Sequence, residues 1–167
     1  MAKVAVLCEK YFQDLELLYP KYRLLEADHK VTLVGIEKVQ YTGKHGYPIQ
    51  ADISIDNVSA KEFDAIVIPG GWAPDYLRRN NKVLQLVAEM NKQKKPIAAI
   101  CHGGWVLASA NILKGRTATC FIAIKDDIIN AGAKYIDKAV VVDGNLITSR
   151  TPDDLPAFMI ELLKKLK

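Results

Sequence analysis

The chain alternates short apolar runs with longer stretches whose apolar residues recur every three or four positions. Val4–Leu7, Ala65–Ile68 and Ile97–Ile100 are unbroken apolar runs, the pattern of strands covered on both faces. Val31–Gly35 reads as a further strand. Residues 15–27 carry Leu17, Leu18, Leu24 and Leu25 at helical spacing. A helix whose first turn includes Leu17–Tyr19 would place Pro20 early enough to be tolerated. Gly43, Gly46 and Pro48 between β-like runs predict a hairpin excursion over 39–56. Residues 80–93 read as an amphipathic helix. After Ile100 the pattern predicts a helix near 103–111, a short strand near 117–120 and a helix over 124–131 that stops at Gly132. Val140–Val142 and Leu146–Thr148 flank the turn Asp143-Gly144-Asn145, and a helix over 153–166 closes the chain. This alternation predicts an α/β sandwich with a mostly parallel sheet, built as one domain over residues 1–167. Function in such folds collects at the carboxyl ends of the strands, where Cys8, Gly70 and Cys101 lie.

Composition narrows the classes. Half of the residues are hydrophobic and a quarter charged, so a chain of 167 residues can bury one proper core. The net charge of +4 is mild and dispersed. The runs Lys92/Lys94/Lys95 and Lys164/Lys165/Lys167 read as solvated helix ends, which argues against a nucleic-acid partner. No stretch approaches the ~20 apolar residues of a membrane span. The first apolar run is too short for a signal-peptide core. The three cysteines, Cys8, Cys101 and Cys120, show neither disulfide nor metal-ligand spacing. A reducing, cytoplasmic setting is expected. Asp126 and Asp127 diverge on a helix, so no metal is expected. Without a GxGxxG or Walker pattern, no nucleotide cofactor is expected either.

The candidate chemistry centres on "KPIAAICHGGWVLASA", residues 95–110. A nucleophile on a tight strand-to-helix turn needs small neighbours two residues away on each side. Cys101 has Ala99 and Gly103 there. A following helix N-terminus favours thiolate and can pull the pKa below the free value of about 8.5. His102, adjacent in sequence, is expected to diverge from the sulfur yet still reach a substrate. The chain holds only His29, His45 and His102. A cysteine–histidine pair of the papain or glutamine-amidotransferase kind needs a downstream histidine, so both classes are excluded. His29 and His45 read as surface and loop residues. Gly70-Gly71 ends a strand that should lie beside the cysteine strand, where glycine N–H groups could hold an oxyanion. Glu16, taken alone, complements a helix dipole, and Asp14 should point elsewhere.

Together these pieces resemble the DJ-1/PfpI superfamily, most closely its PfpI-type intracellular cysteine proteases and deglycases. The resemblance runs along the chain through "DLELLYP" (14–20), "TGKHGYPIQAD" (42–52), "FDAIVIPGGWAPDYLR" (63–78), the cysteine segment, "LKGRTATC" (113–120) and "VVVDGNLITSRTPDDLPAF" (140–158). It implies a flavodoxin-like three-layer α/β sandwich with Cys101 on a nucleophile elbow. Glu16 would share a hydrogen bond with the sulfur as a protonated acid. Gly70, Gly71 and the N–H after the cysteine would form the oxyanion hole, with Gly103, Trp105 and Phe121 around the substrate. In PfpI-type members an acid after the glycine pair crosses a subunit interface to orient the histidine, and Asp75 holds that position. A homo-oligomer is therefore implied, a dimer or a trimer of dimers, acting on peptides, small oxoaldehydes or their early adducts on proteins. The chain departs from the pattern at Gly104-Trp105 (usually Pro-Gln), at Asp75 (usually Glu) and at Phe121-Ile122-Ala123 (often Tyr-Pro-Gly). A different reading of the same thiol is a non-enzymatic redox sensor or stress chaperone working through Cys101 oxidation.

Overall fold

Strand β1 (Lys3–Cys8) and helix α1 (Asp14–Glu26) lead into β2 (Lys30–Gly35). A separate small ribbon, β3 (Gln40–Thr42) and β4 (Pro48–Gln50), is followed by β5 (Ile53–Ser54) and β6 (Ala65–Ile68). Helices α2 (Ala73–Leu77) and α3 (Asn81–Lys92) precede β7 (Ile97–Ile100) and α4 (Gly104–Ser109). The chain ends with β8 (Thr117–Ala118), α5 (Lys125–Asn130), β9 (Lys134–Tyr135), β10 (Val140–Asp143), β11 (Leu146–Ser149) and α6 (Leu155–Lys165). These assignments come from a computed structural model that describes residues 1–167.

The main sheet runs β10-β11-β7-β6-β1-β2-β5, parallel except for the β10–β11 hairpin. Its continuous apolar strands are buried on both faces because helices cover both. Helices α1 and α6 pack together on one side, and α2 to α5 form the other layer. Leu17, Leu24 and Phe158 fill the first interface, and Met90 and Leu107 the second, all fully buried. Each such side chain contributes about 1.5–3 kcal/mol of burial. The chain leaves β1 toward β2 on one side and reaches β6 on the other. That reversal opens a crevice at the carboxyl ends of β1 and β6, next to β7. No helix is long and apolar enough to cross a membrane.

Several local expectations are corrected. Helix α1 starts at Asp14, capped by the Gln13 side chain, which accepts the Glu16 N–H at 3.0 Å. Pro20 therefore sits inside the helix rather than at its start, and it cannot donate to the carbonyl of Glu16. The strand near 117–120 is only Thr117–Ala118, and it pairs with β9 outside the main sheet. The excursion over 39–56 is split: β3 and β4 form the hairpin, while β5 joins the sheet edge beside β2. Lys95 is not a solvated helix end. Its ammonium donates to the carbonyls of Ala60 (2.7 Å) and Phe63 (2.6 Å), tying the loop before β6 to the loop before β7. Asp154, at the start of the closing helix, is buried and receives the Arg150 guanidinium.

Lys95→Met removes both charge-assisted bonds from partly buried carbonyls. The expected loss is about 1–3 kcal/mol in urea denaturation. The rate of Cys101 alkylation should stay at the wild-type value, because this contact lies away from the crevice.

Candidate active site

The turn after β7 is forced by its neighbours. Ile100 is still extended, but Cys101 adopts a left-handed backbone with φ of 59°. Such a conformation costs a non-glycine residue on the order of 1–3 kcal/mol, held here by the surrounding sheet. Residues Cys101–Gly103 form a 3-10 turn that passes directly into α4. A side chain at Gly103 would place its Cβ 2.6 Å from the carbonyl oxygen of Ile68 on β6, so only glycine fits the tight turn. The expectation that the His102 side chain diverges from the cysteine is overturned. The left-handed residue and the 3-10 turn fold the ring back, and Nδ1 lies 3.3 Å from Sγ.

Glu16 reaches the same sulfur from α1. Its carboxyl is fully buried, and Oε2 accepts the Gly70 N–H at 2.8 Å. Oε1 is buried with no hydrogen-bond partner. Gly70 separates the two groups: a Cβ there would lie 2.7 Å from the Cβ of Cys101 and closer still to Oε2 of Glu16. Gly71 has a φ of +75° and bridges to Phe12, so a side chain would strike the backbone of Tyr11 and Gln13. The backbone N–H groups of Gly71 and His102 both reach the sulfur.

Burial dominates the electrostatics. It pushes Glu16 up to about 7, against the opposing pull of the Gly70 N–H, the Cys101 contact and Lys44. It pushes Cys101 up to about 12, with the neighbouring Glu16 charge as the second cause. The helix-terminus effect expected from sequence is thus outweighed for an isolated thiol. The two groups are in contact and titrate as one system. Burial raises both groups, Cys101 far more than Glu16, so the first proton leaves the pair well below the second, and between the two steps the pair carries one negative charge. His102 is held below its ordinary value, first by burial and then by the Lys44 cation.

The surround contains residues that sequence reasoning passed over. Asp14 points away from Glu16, as expected, and accepts the N–H groups of His45 (2.8 Å) and Tyr47 (3.0 Å). It thereby pins the loop that carries Lys44 toward the crevice. The imidazole of His102 stacks on Phe121 (5.1 Å between centroids, 29° between planes) and meets Trp105 edge to face (5.0 Å, 72°). Trp105 donates its indole N–H to Asp127 at 2.7 Å, and Arg78 lies over the indole. No spacing rule links Arg78, Trp105 and Asp127, which meet only because α2, α4 and α5 pack in one layer. Asp75, on α2, pairs with Arg79 and makes no hydrogen bond to His102 of its own chain.

The other thiols differ. Cys8 is buried at the end of β1 and pushed up to about 12 by burial, then by Glu9 and Asp52. Cys120 is likewise pushed up to about 12 by burial. It lies behind Phe121, whose N–H donates to the carbonyl of Cys101 at 3.4 Å. A cavity of about 240 Å³ there is lined by Cys120, Phe121, Tyr135 and Arg150. The larger depression of about 650 Å³, around Asn91, Arg116 and Asp143, is at the opposite end of the sheet. No group of three His, Cys, Asp or Glu side chains is arranged to hold a metal.

A parallel α/β sandwich with a cysteine on a left-handed elbow, a buried carboxyl against its sulfur and a histidine beside it defines a class of thiol proteins. Residues 2–165 match the DJ-1/PfpI family, and the chain belongs to it. It is 48% identical to "Deglycase PfpI" of Pyrococcus furiosus over 165 residues, 99% of each chain. A crystal structure from Anabaena variabilis, a two-domain protein with DJ-1/ThiJ/PfpI-like and ferritin-like domains, superimposes with a TM-score of 0.97 at 46% identity. That match covers 99% of this chain and 48% of the longer one. Drosophila melanogaster DJ-1beta superimposes with a TM-score of 0.93 at 28% identity, covering 99% of this chain and 90% of its own.

Two outcomes follow from the pair. In Cys101 alkylation by iodoacetamide against pH, the wild-type rate should rise with an apparent pKa near 7, the value to which burial brings Glu16. Glu16→Gln should move that midpoint up by roughly a unit or more, because an amide N–H is a weaker donor to thiolate than the carboxyl O–H it replaces. The second outcome concerns stability. A carboxyl whose folded pKa is raised from 4.5 to about 7 binds more protons in the native state across that window. Stability must therefore fall as pH rises from 4.5 toward 7. In urea denaturation, Glu16→Gln should gain on the wild type over that window, by as much as about 3 kcal/mol.

Proposed function

We propose that this chain is a cysteine-dependent hydrolase acting on reactive carbonyls, a deglycase and glyoxalase, with peptides as a second substrate class attacked in the same way. The observation that carries the reading is the contact of Cys101 with a fully buried Glu16 on an elbow where two backbone N–H groups reach the sulfur. A carboxyl O–H is a better donor than a thiol S–H, and Oε1 is free to donate. The sulfur has the N–H groups of Gly71 and His102 besides. The shared negative charge therefore rests on sulfur, with Glu16 as the neutral acid. The name borne by the Pyrococcus furiosus relative agrees with this reading. Cys101 is only 8% exposed, which suits a small aldehyde better than a folded polypeptide.

The thiolate adds to the aldehyde carbon of an α-oxoaldehyde. A carbon–sulfur bond forms, and the carbonyl electron pair moves to oxygen, stabilised by the N–H groups of Gly71 and His102. Glu16 delivers its proton to that oxygen. His102, held below its ordinary pKa and so a neutral base, takes the proton from the carbon bound to sulfur and returns one to the neighbouring carbon. The hydroxyl proton on that carbon passes by way of Glu16 to the neighbouring oxygen, so that the hemithioacetal isomerises through an enediol to a thioester with no net gain or loss of protons. Water cleaves the thioester, releasing a 2-hydroxy acid and restoring the thiol–carboxyl pair. The sum is oxoaldehyde plus water, with no external oxidant or reductant. From an early adduct on an amine, the thiolate displaces the amine, which leaves with the proton of Glu16.

The remaining nitrogen of His102 has no partner within the chain, and Asp75 of the partner subunit would supply one in a homo-oligomer. The three unpaired thiols suit a cytoplasmic setting.

The test is turnover of methylglyoxal to lactate. Cys101→Ser should lose roughly a thousandfold or more, and Asp75→Asn roughly tenfold. Specific activity should fall on dilution as subunits separate. Absent turnover together with peroxide-dependent oxidation confined to Cys101 would replace the enzyme by a redox sensor.

A further inference from the structure

We propose that Trp105, locked by Asp127 and Arg78, is a positioning residue that holds the His102 imidazole in working orientation from within its own chain. The inference rests on the reading of His102 as the proton carrier.

The imidazole has aromatic neighbours on two sides. Phe121 stacks against it, and Trp105 meets it edge to face. An indole placed there by packing alone could rotate. This one is fixed at its far end, where Nε1 donates to Oδ2 of Asp127 at 2.7 Å. The acceptor is a carboxylate, so the bond is charge-assisted. Arg78 lies 5.3 Å from the indole centroid and is itself held by the Ser109 hydroxyl at 2.9 Å. The indole is thus tied to α5 through Asp127 and to the end of α2 through Arg78.

Gly104 eases this geometry. A Cβ there would lie 3.2 Å from the Ile124 side chain, 3.3 Å from that of Ile128 on α5 and 3.5 Å from that of Cys120, so the glycine lets these side chains pack against the start of α4 without shifting. Gly104 and Trp105 act as a unit: one leaves room for these side chains, and the other reaches Asp127. This unit occupies the positions at which the chain departs from the usual Pro-Gln. The titratable groups facing His102 are Cys101 on its own turn and Lys44 on the pinned loop. Asp127 and Arg78 stand behind the indole.

The experiment compares Asp127→Leu, Asp127→Asn and Trp105→Leu. Each is read by methylglyoxal kinetics and by long-range proton–nitrogen NMR of the His102 ring. Asp127 is exposed on a short helix, so its variants should remain folded even if Trp105→Leu does not. The wild type should show a single imidazole tautomer, with the proton on Nε2 and Nδ1 left as the free base beside sulfur. Asp127→Leu should give mixed tautomers and lower kcat roughly tenfold with KM changed less than about twofold, the signature of lost orientation. Asp127→Asn keeps a neutral acceptor and should fall between wild type and Asp127→Leu. Equal losses in both Asp127 variants would assign the effect to charge alone and overturn the proposal. A rise in KM with an unchanged ring spectrum would make Trp105 a substrate contact, which also overturns it. If the wild type turns over no methylglyoxal, the functional reading fails, and the NMR comparison alone decides the positioning claim.

Discussion

A carboxyl with no solvent exposure pressed against a thiol is the interaction around which this structure is organised. Neither group can hold a full charge in that setting without help, because burial pushes both upward. The surrounding architecture supplies it. The Gly70 N–H reaches the carboxyl, while the N–H groups of Gly71 and His102 reach the sulfur. Each glycine is where it is because a side chain would push these partners apart or strike backbone. The left-handed Cys101 is the conformational cost of bringing sulfur to that point.

The fold serves this contact through its topology. Glu16, Gly70 and Cys101 follow three adjacent parallel strands, β1, β6 and β7, and meet at the crevice where the strand order reverses. Helix α1 starts early enough to carry Glu16 into the first turn, with Gln13 capping the Glu16 N–H. Pro20 lies one turn further on and leaves the carbonyl of Glu16 without its usual helical donor.

The chain's apolar rhythm showed the central strands well. Ala65–Ile68 and Ile97–Ile100 carry their burial in four consecutive residues, and both ranges were readable without a partner. The elbow was also legible, since Ala99, Cys101 and Gly103 form a local pattern with a steric reason. What could not be read was set by contacts distant in sequence. Lys95 looks like a solvated cation until the carbonyls of Ala60 and Phe63 are seen around it. Lys44 lies near the site because its loop is held by the Asp14 carboxylate and by the carbonyl of Phe12, which accepts the Lys44 N–H. The orientation of His102 depended on the sign of one φ angle at Cys101, which composition does not reveal. The helix terminus suggested a lowered thiol pKa, whereas desolvation acts more strongly and in the opposite direction. Burial is a tertiary property, so the local sequence around Cys101 carries no sign of it.

Infrared spectroscopy of the Glu16–Cys101 pair shows most directly where its charge rests. At a pH just above the first ionisation, the wild type should display a protonated carboxyl C=O band that is absent in Glu16→Gln. It should display no S–H band assignable to Cys101 by its loss in Cys101→Ser. Such a spectrum would place the single negative charge on sulfur. An S–H band from Cys101 persisting beside an ionised Glu16 would contradict that placement, and the elbow would then present an inert thiol.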